Sequence, residues 1–128
     1  MKKLIHTVIC DDIRVEVANK FSYMGIYEKD IVVPTLPLKV PKICFIQFLL
    51  LEKGKYRVRQ ILMSPTKEIG RVDFNEQANV ISDTENFVFR SAFENITIDE
   101  LGEYQLQLYF DDQLAPDLTH KFKIIPLK

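Results

Sequence analysis

The sequence contains no tryptophan, and it has few of the residues from which most catalytic centres are built. Its four glycines stand singly, which excludes a glycine-rich loop that cradles phosphate groups. Its two cysteines and two histidines are spread from position 6 to position 120, without the paired spacing of a zinc site. The longest apolar run, Ile43 to Leu51, is far shorter than a membrane span. We therefore expect no metal, no cofactor and no membrane-spanning segment.

An excess of either charge is also missing, because 17 basic and 18 acidic residues give a net charge of -1. A nucleic-acid-binding domain or a polybasic membrane-surface protein would normally be basic. Arg57, Arg59 and Arg90 alternate with strand residues and could form a small basic patch, which we interpret as a solvated sheet face. Neither nucleic acid nor membrane is expected as a partner.

The N-terminus lacks the features of a secretory signal. Two lysines precede only six residues of apolar character, and that stretch includes His6 and ends at Asp11 and Asp12. We interpret it as a first β-strand and expect a cytoplasmic chain. In a reducing compartment, Cys10 and Cys44 are expected to be buried free thiols and not a disulfide.

What the sequence has in abundance is apolar residues with a period of two. Tyr104, Leu106, Leu108 and Phe110 alternate with polar neighbours, which predicts a half-buried strand. No stretch has convincing helical periodicity, although the region from Asn75 to Ile81 could hold one short helical turn. The pattern predicts an all-β fold, a single immunoglobulin-like sandwich of about seven to nine antiparallel strands, in one domain covering residues 1–128.

Several local features refine this prediction. Ile43 to Leu51 reads as a central strand, Glu52 to Lys55 as a turn, and Tyr56 to Met63 as the hairpin partner of that strand. The apolar phase shifts near Glu94 and Asn95, which predicts a bulge or bend. Prolines 34, 37 and 41 predict an extended crossover or edge segment.

The segment from Asp99 to Tyr104 precedes the clearest strand and resembles the tyrosine corner of immunoglobulin-like sandwiches. In that corner the tyrosine hydroxyl folds back onto the preceding loop, and Gly102 would supply a permissive backbone for the bend. Leu106 stands where an antibody-type domain has cysteine. We therefore expect Gly102 and Tyr104 to be structural residues of a disulfide-free relative, although Tyr104 could also be an ordinary half-buried strand residue.

A second distinctive passage runs from Cys10 to Tyr27. It combines Cys-Asp-Asp-Ile-Arg at 10–14 with Glu16, Asn19, Lys20, Ser22, Gly25 and Tyr27, and is followed by Pro-Thr-Leu-Pro at 34–37. The passage resembles the opening of an uncharacterised family of small bacterial β-proteins. That resemblance covers about the first third of the chain. It implies a β-sandwich and a bacterial or phage origin, and it implies no activity.

These features favour a non-catalytic protein-binding or assembly module, with another protein or a second copy of the chain as partner. The compact polar segment supplies the candidate binding residues, and the first sandwich edge could accept a partner strand. The candidate binding residues are Asp11, Asp12, Arg14, Glu16, Asn19 and Lys20.

Two alternatives come from other classes of function. One is a loop-end site for calcium or a small polar ligand, formed from Asp11, Asp12, Asp111, Asp112 and Asp117. The other is an enzyme that uses Cys10 or Cys44 with a histidine, such as a Cys10–His120 dyad. We expect no catalytic residues, because no third group suggests itself to orient such a pair.

Overall fold

The protein is nearly all β-structure. The computed structural model describes residues 2–74, 78–80 and 85–127, and these form twelve strands, two single-turn segments and no α-helix. Eight strands have six or more residues and four have two or three. The strands are β1 (Lys3–Val15), β2 (Phe21–Tyr27), β3 (Ile31–Val33), β4 (Leu38–Leu51), β5 (Gly54–Tyr56), β6 (Val58–Met63), β7 (Glu68–Asp73), β8 (Ala78–Val80), β9 (Glu85–Ile98), β10 (Gly102–Phe110), β11 (Gln113–Leu114) and β12 (His120–Pro126).

The strands form two main sheets that pack face to face. Sheet A has the order β2-β1-β4-β9 and is antiparallel throughout. Sheet B has the order β3-β12-β10-β6-β7, β11 pairs with β10, and β5 forms a small ladder with β8. The prediction of an all-β sandwich without a disulfide is confirmed, while the immunoglobulin-like assignment stays a prediction.

The sequence predicted antiparallel strands, but one pair of neighbouring strands in sheet B is parallel. Strand β3 pairs with β12 in parallel, with Ile31 opposite Ile124. A long crossover through both sheets separates the two strands, so no hairpin turn fixes their relative direction.

The predicted hairpin between Ile43–Leu51 and Tyr56–Met63 is wrong. Strand β4 pairs with β1 and β9 in sheet A, whereas β6 pairs with β10 and β7 in sheet B. The intervening chain crosses between sheets because Tyr56 inserts its ring into the core, edge-on to Phe110 at 5.4 Å. Its hydroxyl donates to the carbonyl oxygen of Glu52 at 2.8 Å, which closes the crossover.

The bend predicted near Asn95 is confirmed. Asn95 has a φ of 55°, and the β4–β9 ladder omits the position where it faces Pro41. Of the three prolines predicted to mark an extended crossover or edge segment, Pro34 and Pro37 lie between β3 and β4. Pro41 lies inside β4, at a point where its missing N–H is not needed. Apolar side chains remain buried on either side of this point, at Phe93 and Ile96.

Tyr104 ties the start of β10 to the loop before it. Its buried hydroxyl donates to the carbonyl oxygen of Glu100 at 2.7 Å, and burial raises the pKa of this phenol. Gly102 has a φ of +126°, a conformation that L side chains rarely adopt. The Glu100 carboxylate accepts hydrogen bonds from Ser64 at 2.6 Å and Thr66 at 2.5 Å, which lower its pKa.

The core between the sheets has two apolar clusters with polar side chains between them. One cluster is centred on Phe45 and Leu106 and the other on Leu49 and Leu108. Between these pairs lie Gln47 of β4 and Gln60 of β6, both fully buried, with Gln60 Nε2 donating to Gln47 Oε1 at 2.5 Å. Gln47 Nε2 and Gln60 Oε1 have no hydrogen-bond partner among the described residues.

The helical turn expected in the region from Asn75 to Ile81 falls mostly outside the described residues. Within that region the structure describes only Ala78–Val80, which forms β8. Over residues 2–74, 78–80 and 85–127, no helix has the length and apolar character needed to cross a bilayer.

Candidate functional site

The candidate residues of the N-terminal signature all lie on one hairpin at the edge of sheet A. Asp11, Asp12 and Arg14 belong to β1, and Glu16, Asn19 and Lys20 form the turn into β2. The structure therefore brings the six together along one hairpin.

Asp11 contacts β2. Its Oδ1 accepts a hydrogen bond from the Tyr27 hydroxyl at 2.7 Å. Burial and the neighbouring Asp11 together raise the pKa of Tyr27 to about 12, so the phenol remains a donor at neutral pH. Gly25 faces the same carboxylate with a φ of +69°, and a Cβ at this position would lie 2.3 Å from Asp11 Oδ2.

Asp12 contacts β4 instead. Its Oδ1 accepts from Lys42 Nζ at 3.0 Å and from the backbone N–H of Ile13 at 3.0 Å. The Lys42 hydrogen bond is the main cause of a lowered pKa for Asp12 and a raised pKa for Lys42. Arg14 is more loosely placed, with Nε 3.7 Å from Asp12 Oδ2 along the same strand.

The remaining signature residues shape the turn. The backbone N–H of Glu16 donates to the carbonyl oxygen of Lys20 at 2.7 Å, and Ser22 Oγ donates to Glu16 Oε1 at 3.1 Å. Ala18 and Asn19 have φ values of 64° and 59°, a conformation that asparagine tolerates well. The chain therefore reverses at Val17–Asn19, and Lys20 is already extended where it leads into β2.

The two cysteines are free and lie opposite each other on β1 and β4. They belong to an apolar cluster made only of sheet A residues. This cluster therefore lies on the face of sheet A that is turned away from sheet B. Burial is the main reason that the pKa of Cys10 is raised and that of Cys44 is raised to about 11. Both thiols are therefore protonated at neutral pH and poor nucleophiles. The cluster contains Cys10, Cys44 and Ile46, with Val8, Ile13, Tyr23, Phe48 and Val88 packed against it.

Arg90 of β9 covers this outer face and reaches β2. Its guanidinium carbon lies 3.6 Å from the centroid of the Phe21 ring, and its Nε donates to the Tyr23 hydroxyl at 3.1 Å. Stacking of a guanidinium on an aromatic face is a favourable cation–π contact. Phe21 and Tyr23 of β2 are thereby held against the sheet.

The apolar surface of the hairpin is the feature that sequence reasoning missed. Five large apolar side chains are exposed on β2 and the end of β1 with its turn, and β2 is an edge strand with seven uncharged residues. The sequence contained a signal for this surface, because no residue from Phe21 to Tyr27 is charged, so neither face of the strand carries a charge. The exposed residues are Val15 (73%), Val17 (86%), Phe21 (39%), Met24 (43%) and Ile26 (53%).

The acidic residues considered for calcium do not gather at one end of the sandwich. Asp111 and Asp112 lie by the start of β6, where Asp111 Oδ1 accepts from the N–H of Arg57 and Asp112 pairs with Arg59 at 3.2 Å. Lys2 lies at that end of the sandwich, with its Nζ 5.4 Å from the centroid of the Phe110 ring. Asp11 follows nine residues later along β1, so it lies roughly 30 Å away. Among the described residues no group of three or more His, Cys, Asp or Glu side chains is placed to hold a metal ion.

The structure also keeps apart the residues of the two other sites considered, the cysteine–histidine pair and the arginine patch. His120 lies on sheet B and stacks on Phe122, whereas Cys10 lies on the outer face of sheet A, so the structure does not form the Cys10–His120 dyad. His120 and His6 both line a shallow cavity between the sheets. Arg59 pairs with Asp73 and Asp112 on sheet B, whereas Arg90 lies on sheet A, so the three arginines do not form the basic patch considered as an alternative to a solvated sheet face.

The fold and this hairpin define a class of protein: a two-sheet β-sandwich whose uncharged edge strand β2 belongs to a hairpin that also carries charged residues. A model of the Family of unknown function (DUF6941) matches residues 6–122, so the chain belongs to that family. The matched range includes the whole signature from Cys10 to Tyr27 and extends into β12. No curated protein matches the chain.

Proposed function

We propose that the protein is a non-catalytic protein-binding or assembly module of a bacterial or phage cytoplasmic system, and that it binds its partner through strand β2. The carrying observation is the uncharged edge strand Phe21–Tyr27, next to a turn with exposed valines. Sheet edges with unpaired N–H and C=O groups readily accept another strand. Soluble proteins usually protect such edges with charged residues or proline, and β2 has neither.

The charged signature residues support this proposal in a way different from the sequence interpretation. Asp11 and Asp12 are bonded to Tyr27 and Lys42, so they hold the hairpin in place and leave fewer groups for a partner. Arg14 and Lys20 remain exposed at the rim. A rigid edge is favourable for binding, because less conformational entropy is lost when a partner strand is added.

A non-catalytic role fits the chemistry of the described residues. The two thiols are buried and protonated, and neither lies beside a histidine in the contacts described above. Two free cysteines also fit a cytoplasmic location, where thiols remain reduced. The balanced charge and the pairing of Arg59 with two aspartates favour a protein partner over nucleic acid.

The test is a comparison of two lysine substitutions in the tagged protein. Met24→Lys places a charge in the middle of β2, and Leu114→Lys makes the same change at a residue of similar exposure (40%) on β11. Each variant is incubated with lysate of the source organism, and retained proteins, including untagged copies of this chain, are quantified by mass spectrometry. We expect Met24→Lys to retain at least tenfold less of a specific partner than the wild-type protein does, and Leu114→Lys to retain the wild-type amount.

Circular dichroism and thermal unfolding of both variants check that each remains folded. Equal retention by folded Met24→Lys and wild-type protein would contradict the proposed binding edge. The absence of any specifically retained protein would contradict the assignment as a binding module.

A further inference from the structure

We propose that the core of the sandwich is a binding site for ordered water, which enters through the cavity between the two sheets. The site is formed by four polar side chains around the buried glutamine pair, here called the polar layer. It is independent of the proposed binding edge, since no residue of the polar layer belongs to β2. The layer consists of Thr7 of β1, Gln47 of β4, Gln60 of β6 and Ser91 of β9.

Strand pairing gathers these four side chains around Gln47. Thr7 is directly opposite Gln47 in the β1–β4 ladder, and directly opposite residues point to the same face of a sheet. Ser91 lies on the other neighbour of β4, opposite Phe45, which makes it a diagonal neighbour of Gln47. Gln60 reaches Gln47 from sheet B through the hydrogen bond at 2.5 Å. The polar layer therefore spans three strands of sheet A and one strand of sheet B.

Each member of the polar layer has a buried atom to which no described residue is bonded. Gln47 and Gln60 are fully buried and Ser91 is 5% exposed, so bulk solvent does not reach them. Leaving a buried polar group unbonded destabilises a fold, and several such groups would offset much of the small net stability of a domain. The folded protein therefore needs a further bonding partner at this place. The atoms are Thr7 Oγ1, Gln47 Nε2, Gln60 Oε1 and Ser91 Oγ.

These atoms require a partner that both donates and accepts hydrogen bonds. Gln47 Nε2 is a donor and Gln60 Oε1 is an acceptor, while the hydroxyl groups of Thr7 and Ser91 can act as either. A cation would serve only the acceptors, and an anion would serve only the donors. Water serves both, and a buried water molecule typically forms about three hydrogen bonds to such groups. Water is therefore the ligand that matches the polar layer.

The cavity between the sheets supplies the entrance. It has a volume of about 450 Å³, and Thr7 lines it together with the two histidines. The cavity exists because β1 pairs with β2 only from Ile9 onwards, and β12 pairs with β3 only from Ile124 onwards. The preceding part of each strand has no paired strand on that side among the described residues. Thr7 thus stands between the cavity and Gln47, and it is the first member of the polar layer that an entering water reaches.

The first experiment counts long-lived internal water by magnetic relaxation dispersion of water nuclei in solutions of the protein. We expect the wild type to hold at least one such water and Gln47→Met/Gln60→Met to hold fewer, because the double substitution removes the amide groups that bind it. The matched control is Gln105→Met/Gln107→Met, since Gln107 Nε2 donates to Gln105 Oε1 at 3.5 Å on the opposite face of β10. This control should keep the wild-type number.

A second measurement needs no substitution and places the water in the polar layer directly. Cross-relaxation between water and the side-chain amide protons of Gln47 and Gln60 is recorded in the laboratory and rotating frames. A long-lived bound water gives signals of opposite sign in the two experiments, whereas proton exchange gives signals of the same sign. We expect opposite signs for both glutamines.

The third experiment tests the entrance. Thr7→Ala and Ser91→Ala each remove one hydroxyl group of the polar layer, but only Thr7 lines the cavity. We expect Thr7→Ala to shorten the residence time of the internal water about tenfold more than Ser91→Ala does, because it also opens the wall of the cavity. The temperature dependence of the relaxation dispersion gives the residence times, and circular dichroism checks that every variant is folded.

Three results would overturn these statements. A wild-type protein without a long-lived internal water, or without opposite-sign signals at the two glutamines, would overturn the internal site whatever the variants show. Equal numbers of water molecules in the wild type and a folded Gln47→Met/Gln60→Met would place the water elsewhere. Equal residence times in Thr7→Ala and Ser91→Ala would overturn the entrance at Thr7.

Discussion

At the scale of single residues, one glycine decides the shape of the candidate binding edge. Gly25 has a positive φ and lies against the Asp11 carboxylate, which in turn holds the Tyr27 hydroxyl. The β1–β2 register skips this pair while keeping the same alignment on both sides. The sequence indicated that these residues belong to one motif, but their contacts depend on strand pairing that local patterns do not specify.

Substitution of Gly25 by alanine is expected to destabilise the fold by roughly 1–3 kcal/mol, because alanine is strained at positive φ and its Cβ collides with Asp11. Urea unfolding measures the loss, and Met24→Ala on the same strand is the control, with an expected change within about 0.5 kcal/mol. Adding Asp11→Ala should remove the collision, so the double variant should lose less than the sum of the single variants. Additive losses would show that the collision is unimportant.

His120 makes stability depend on pH. Its burial, and to a smaller extent the charge of nearby His6, lower its pKa below the usual value of 6.5. The unfolded chain therefore takes up this proton at a higher pH than the folded protein, so protonation favours unfolding. His120 makes its full contribution to the free energy of unfolding above about pH 6.5, and this contribution is lost as the pH falls below that value.

We expect the melting temperature to decrease between pH 7 and pH 5, before the carboxylates titrate, and to decrease less in His120→Gln. Differential scanning calorimetry at low ionic strength measures both profiles. His6→Gln is the matched control and should keep most of the wild-type dependence, since His6 is the smaller cause of the shift. Identical profiles for His120→Gln and wild type would exclude this origin.

At the scale of strands, the sequence predicted where chain segments are extended but not which sheet they join. A period of two identifies a strand and its buried face, as for Gly102–Phe110, whose alternate residues are buried. It does not name a partner, which is why Val58–Met63 was assigned to the wrong neighbour. The sequence predicted that the first sandwich edge could accept a partner strand, but not that Phe21–Tyr27 forms this edge, because its place follows only from the complete pairing.

The glutamine pair between β4 and β6 joins the two sheets inside the core through a buried hydrogen bond. Each side chain has one partner and one unsatisfied polar atom among the described residues. Gln47→Met alone leaves Gln60 buried without its acceptor and is expected to cost about 1–3 kcal/mol. Gln47→Met/Gln60→Met removes both polar groups at nearly constant volume and should be more stable than either single variant. Urea unfolding of the four proteins measures the coupling, and additive effects would contradict it.

At the scale of the whole molecule, the all-β class was predictable because the apolar residues recur with a period of two and no stretch has helical periodicity. The site was less predictable. The charged signature residues are grouped as expected, yet several of them are bonded internally, and the surface left for a partner is apolar. Distinguishing a charge that binds a partner from one that holds a hairpin requires knowing its neighbours in space.

The parallel pairing of β3 with β12 has a consequence for the order in which the protein can be completed during translation. Ile31 emerges 93 residues before its partner Ile124, a delay on the order of five to twenty seconds at roughly 5–20 residues synthesised per second. The β1–β2 hairpin joins residues close in sequence and can form at once, so β2 is ready on nascent chains well before sheet B closes.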